Sequence, residues 1–146
     1  DKMKTTINMF LALFFVFGSL IFAQTESEKD AIKNTFAKIV EISKQKDISP
    51  ATGLLAYSGD NKARDLKTPL NFADTEDNNS ARRLLKKIKA FFDISDSYSV
   101  VNIQTKNIND VTTYVLTVNF KSGAQNLTTN FVFVKIDNKF LLAYAE

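Results

Sequence analysis

The sequence predicts an α+β domain in which N-terminal helices cover an antiparallel meander of four or more strands. Three observations carry that expectation. Residues 98–145 contain four runs with a two-residue apolar repeat, the period at which side chains of an extended chain fall on one face. The gaps between these runs are far shorter than the crossover of a dozen residues that parallel pairing needs. Ahead of them, apolar residues recur at helical spacing behind N-cap signals.

The strand runs differ in character. Tyr114, Leu116, Val118 and Phe120 share one face, and Val115, Thr117 and Asn119 form a more polar one. Such a strand suits an antiparallel sheet covered well on one side only. In residues 127–136, Leu127, Thr129, Phe131 and Phe133 share a face. Asn130, Val132, Val134 and Ile136 share the other, so this strand is expected to be central. The last run places Phe140, Leu142 and Tyr144 together. In the first, residues 98–108, Tyr98 and Val100 are in phase, but Val101 and Ile103 fall on the opposite face. That slip predicts a bulge near Val100. Asn109-Asp110 and Asp137-Asn138 read as two-residue hairpin loops. Lys121-Ser122-Gly123-Ala124 reads as a longer loop in which glycine supplies a positive φ.

The start of the chain reads as a leader. Met3 is the expected natural start, with Asp1-Lys2 a leftover ahead of it. Lys2 and Lys4 precede an apolar run over residues 9–22, and Ala23 then gives way to polar sequence. This is the pattern of a secretory signal peptide cut after Ala23. The run falls short of the roughly 20 apolar residues that span a bilayer, so a membrane is involved only if the signal stays uncleaved. Residues 1–23 are therefore the signal, and residues 24–146 form a single domain that is exported, periplasmic or secreted. Loss of the leader takes the formal charge from +3 to +2. No cysteine is present, so the exported domain must rely on packing rather than disulfides, and a lipid-anchored lipoprotein form is excluded.

Thr25 and Glu28 have capping-box spacing and open a helix with Ile32, Phe36, Ile39, Val40 and Ser43 as its stripe. This helix is expected to fade by Lys46-Asp47. Ser49 as N-cap and Pro50 at the first position predict a second, short helix carrying Leu54, Leu55 and Tyr57 and stopping at Ser58-Gly59. Residues 59–79 are polar, with Leu70 and Phe72 as the only material for an edge strand. So long a segment is expected to hold a small strand or to be a functional loop. Ser80 is expected to cap a third helix from Ala81 to Phe92. Its buried stripe is Leu84, Leu85, Ile88, Phe91 and Phe92; its outer face is Arg82, Arg83, Lys86, Lys87 and Lys89.

This order of helix, short helix, variable segment, helix and meander resembles the NTF2-like (nuclear transport factor 2-like) superfamily. So does the close of the chain, an apolar strand, then Lys135-Ile136-Asp137-Asn138-Lys139, then Phe140-Leu141-Leu142-Ala143-Tyr144. The resemblance spans about residues 27–145. It implies a strongly curved sheet wrapped around a long helix, forming a cone with an apolar pocket. It also implies a superfamily that includes isomerases, hydrolases, dehydratases and non-catalytic binding modules, among which fold alone does not choose.

Absences narrow the chemistry. Without histidine or cysteine, no Ser-His-Asp or Cys-His arrangement can form, and zinc sites of imidazole or thiolate are closed. No glycine-rich phosphate loop is present. Asp74-Thr75-Glu76-Asp77-Asn78-Asn79 lacks the glycine and terminal glutamate of a calcium loop and reads as a solvated loop. No cofactor, metal or catalytic residue is assigned. The pocket candidates are Tyr57, Tyr98, Tyr114, Tyr144, Phe131 and Phe133, and the tyrosines serve equally as core residues with satisfied hydroxyls. The basic helix face, Arg82, Arg83, Lys86, Lys87 and Lys89, reads as solvated surface, or else as a docking patch for an acidic partner, anionic lipid or polysaccharide. It lacks the interleaved aromatics of single-strand nucleic-acid binding, and export also argues against a nucleic-acid partner. Asn78-Asn79-Ser80 and Asn126-Leu127-Thr128 match the glycosylation pattern by chance.

The leading functional expectation is an exported non-catalytic binding module. It holds a small apolar or amphipathic ligand in the cone, or a protein partner on the sheet. The resemblance supplies an alternative, a cofactor-free isomerase or hydrolase using a pocket tyrosine with Asp65 or Asp74. The second alternative is a homodimeric structural module.

Overall fold

The computed structural model describes residues 24–146; the expected leader and its cut after Ala23 lie outside the described residues. The element order is α1 (Glu26–Ser43), a 3-10 turn (Ser49–Ala51), α2 (Thr75–Asp93), β1 (Ser97–Ile108), β2 (Val111–Ser122), β3 (Gln125–Ile136) and β4 (Lys139–Ala145). The protein is an α+β domain, with two helices packed on a four-stranded sheet. Strand order is β1-β2-β3-β4 and every neighbour is antiparallel, so the sheet is a meander. Among the described residues, no helix is long and apolar enough to cross a membrane.

α1 starts where its cap dictates. The Thr25 hydroxyl accepts from Glu28 N at 3.2 Å. Only half of the expected capping box forms, because the Glu28 carboxylate accepts from Lys135 Nζ at 3.2 Å instead. The stripe Ile32, Phe36, Ile39, Val40 and Ser43 is buried, joined by Ile42.

The second helix is a correction. Only Ser49–Ala51 forms a turn, and Ser49 is not its cap: Ser49 N and Oγ both donate to Asp47, at 3.0 and 2.8 Å. Leu55 and Ala56 instead form bridges, with Leu55 parallel to Leu142 of β4. Ala56 N donates to Leu142 O at 2.8 Å and Leu142 N to Leu54 O at 2.9 Å. Leu55 and Ala56 are both buried, in different clusters. Adjacent residues buried on opposite sides need a two-residue period, which a helix does not have. Pro69-Leu70 then pairs from outside, with Leu70 N donating to Leu55 O at 2.9 Å. The anticipated edge strand over Leu70 and Phe72 thus reduces to an isolated bridge at Pro69.

α2 begins earlier than expected. Asp74, not Ser80, is its cap, and Asp74 Oδ1 accepts from Asp77 N at 3.0 Å. The first turn carries Glu76 and Asp77, and negative charge is favoured there by the helix dipole. The acidic stretch read as a solvated loop is therefore helical from Thr75.

In the sheet, the expected slip falls between Val100 and Asn102. A second irregularity lies between Val132 and Phe133, where Ala143 is the extra residue on β4. Both central residues of the outer hairpins are left-handed: Asn109 (φ 49°), Asp110 (63°), Asp137 (50°) and Asn138 (60°). That is the type I′ geometry whose twist matches the strands. The middle hairpin is tighter than expected, since Ser122 pairs with Gln125 and only Gly123 has positive φ (59°).

The helix-bearing face holds the main core. Phe131, Phe133, Leu116 and Leu142 meet Ile32, Ile39 and Ile88, each 0% exposed. Aromatic rings interlock along it: Phe36 with Phe131 at 4.7 Å, Phe91 with Phe120 at 5.4 Å, Phe92 with Tyr98 at 4.9 Å. Such pairs contribute roughly 0.5–1.5 kcal/mol each beyond their burial. A smaller cluster covers the other face, where Leu66 and Ala56 pack on Val134, Leu141 and Ala143. This explains why β3 is apolar on both sides.

Candidate binding groove

A groove of about 300 Å³ opens where α2 passes the covered edge of β4. Ser80, Arg83, Leu84 and Lys87 line it from α2, a spacing that puts them on one face of the helix. Tyr57 and Ser58 contribute from the extended segment, and Tyr144 from β4. The floor is apolar: Ala56, Leu70, Ala143 and Ala145. The Lys87 Nζ donates to Ala145 O at 2.6 Å, and Arg83 Nη2 to Ser80 Oγ at 2.9 Å. Among the described residues, no carboxylate side chain lines the groove.

Tyr57 is held from several sides. Its hydroxyl accepts from Asn61 N at 3.3 Å, and the Arg64 guanidinium lies 4.2 Å from its ring centroid. Arg64 is itself fixed by Asp77, with Nη1 to Oδ1 at 3.2 Å and Nη2 to Oδ2 at 2.5 Å. Asn71 N also donates to Asp77 Oδ2, at 2.8 Å. Asp77 is only 3% exposed, and the Arg64 hydrogen bonds hold its carboxyl below the usual range, aided by Asn71 N. The same bonds raise the Arg64 pKa. Gly59 lets the loop pass close to the ring, because a Cβ there would lie 2.9 Å from the Tyr57 hydroxyl. The Tyr144 phenol is pushed up by burial, then by the charges of Glu146 and Asp65, so it stays a neutral hydrogen-bond donor.

A wider polar cleft of about 740 Å³ adjoins the groove and shares Tyr57, Ser58, Ser80 and Arg83 with it. Asp60, Asp74 and Glu76 also line it, together with Arg64 and Asp77. One oxygen of Asp74 is already used in capping α2.

The residues singled out in the sequence separate into groups. Tyr57 and Tyr144 come together with Arg83 and Lys87. Arg82 bonds to Asn78 Oδ1 at 2.9 Å, Lys89 pairs with Asp93, and Lys86 is exposed; none of these three lines the groove. Tyr98 is 50% exposed at the far end of the sheet. Tyr114 packs edge-on against Phe140 at 5.0 Å. Phe131 and Phe133 are fully buried in the main core, so they are packing residues there rather than the lining of an open pocket. The interior expected to receive a ligand is, among the described residues, filled by rings. Asp65 donates no catalytic contact to a tyrosine: its Oδ1 accepts from Gly59 N at 3.2 Å. Among the described residues, no tyrosine hydroxyl is hydrogen-bonded to a carboxylate. Sequence reasoning missed Arg64, Asp77, Ser58 and Ser80, whose roles depend on contacts across the fold.

No protein-family model and no curated protein matches this sequence. Among solved structures, the chain is similar to one titled Rd1NTF2_05 with five substitutions. The identity is 14%, the match covers 82% of this chain and 97% of that one, and the TM-score is 0.44.

Proposed function

We propose that this chain is an exported, non-catalytic binding module whose ligand is a small amphipathic molecule held in the groove between α2 and β4. The observation that supports this most is the composition of that groove. Apolar floor, hydroxyl rim and cationic flank meet in a concavity at the small end of the size range of ligand sites, about 300–1,000 Å³. The ring-filled core supports reading the site on the flank of the sheet rather than in its interior. A titration of residues 24–146 with hexanol and with hexanoate, followed by NMR, tests it. Shifts concentrated at Tyr57, Tyr144 and the end of β4, with the probe recovered unchanged, are expected. Shifts at Phe131 and Phe133, or none anywhere, would overturn it.

A second reading, self-association, is favoured by one observation. Among the described residues, β1 pairs only with β2 and bears exposed Val100, Val101 and Tyr98, and unpaired edges invite strand addition. Sizing at micromolar concentration checks it; a clean monomer rules it out.

A further inference from the structure

The groove is chemically one-sided. Among the described residues, its only charged side chains are Arg83 and Lys87, one helical turn apart on α2. Their hydrogen bonds leave capacity: Lys87 has one donor engaged, with Ala145 O, and an ammonium has three. Arg83 has one engaged, with Ser80 Oγ, and a guanidinium has five. Both heads are exposed rather than paired with a carboxylate. Ser58, Ser80, Tyr57 and Tyr144 offer hydroxyls on the rim.

We infer that the ligand is a monoanion, a carboxylate on a short apolar tail, with its head between Arg83 and Lys87 and its tail over Ala56, Leu70 and Ala143. This rests on the groove being the binding site. Charge-assisted bonds from two cations suit one carboxylate. A floor of alanine and leucine gives a second phosphate or a sugar nothing to bond, and burying unpaired polar groups is costly. The apolar floor sets the selectivity. A second negative charge at the tail end of a ligand would lie over Ala56, Leu70 and Ala143, where burying it unpaired is costly. The groove therefore accepts one anionic end and rejects two.

The experiment compares hexanoate, hexanol, hexylammonium and adipate on residues 24–146 by NMR titration, reading Tyr57 and Tyr144. Hexanoate is expected to bind about tenfold more tightly than hexanol, with hexylammonium and adipate weaker than hexanoate. Arg83→Gln and Lys87→Gln are each expected to remove most of the preference for hexanoate over hexanol. Arg82→Gln and Lys86→Gln, outside the groove, are expected to leave it intact and control for net charge. Equal shifts from hexanoate and hexanol overturn the anion inference while the groove reading stands. Preference for hexylammonium or adipate overturns it too. No response at Tyr57 or Tyr144 to any probe sinks both.

Discussion

Leu66 offers a test in which the sign of the effect, not its size, decides. Its φ is 60° and its side chain is 3% exposed, packed on Ala56, Val134, Leu141 and Ala143. A left-handed backbone costs most L-residues roughly 1–2 kcal/mol. The burial of the side chain must offset that. Leu66→Ala removes the burial but keeps the strain, and in so small a cluster should cost about 2–3 kcal/mol. Leu66→Gly removes the same side chain and the strain together. Glycine adds back about 0.5–1 kcal/mol through chain entropy. The glycine variant should therefore be more stable than the alanine variant by roughly 0.5–1 kcal/mol, the reverse of the usual order. Urea unfolding by far-UV circular dichroism measures this, provided the slope with denaturant is the same for both variants. An alanine variant as stable as the glycine variant, or more so, would refute the idea that strain at this position is balanced against the cover of the back face.

Three further outcomes follow from the geometry. The Arg64 hydrogen bonds depress the Asp77 pKa, so their contribution is full above the unfolded aspartate value near 3.9 and fades as pH falls through the lower folded value. Asp77→Asn should lose stability at neutral pH, with the melting-temperature gap to the unmodified protein closing below about pH 4; a gap independent of pH contradicts it. Asn138 has φ 60° in a type I′ turn, so Asn138→Gly should stabilise by about 0.5 kcal/mol and Asn138→Val destabilise by about 1–2 kcal/mol in thermal melts. At Gly59, alanine would press on the Tyr57 hydroxyl. Gly59→Ala should weaken hexanoate binding several-fold in the NMR titration, with stability held within about 1 kcal/mol; unchanged binding would detach Tyr57 from the site.

The meander was legible because its signals are local. Alternation in residues 114–120 and the phase slip at Val100 depend on neighbours in the chain, and so do the Asn/Asp hairpin loops and the Thr25 cap. Residues 49–80 were misread for the opposite reason. Leu54, Leu55 and Tyr57 carry no strong period of their own, and what makes them extended is the edge of β4, far along the chain. The start of α2 was hidden because Thr75–Asn79 is polar on every face, and only the cap at Asp74 marks it. In the groove, Arg83 and Lys87 were visible as part of a basic stripe, yet nothing local separates them from Arg82, Lys86 and Lys89. The partition comes from which side of α2 the last strand passes. The Arg64–Asp77 pair spans an irregular segment and carries no periodic signal at all.

The stitching of residues 54–57 to β4 bears on how the molecule assembles. The three hairpins close over short distances in the chain, and such contacts form early at low entropic cost. The rung between Leu54, Ala56 and Leu142 joins stretches more than half the chain apart, so on loop-closure grounds it is expected to be the seam that closes late. While that seam is open, the final strand is an unguarded border and the cavity beside it has only one bank. A ligand held in that groove as proposed would be gripped only once this seam has closed.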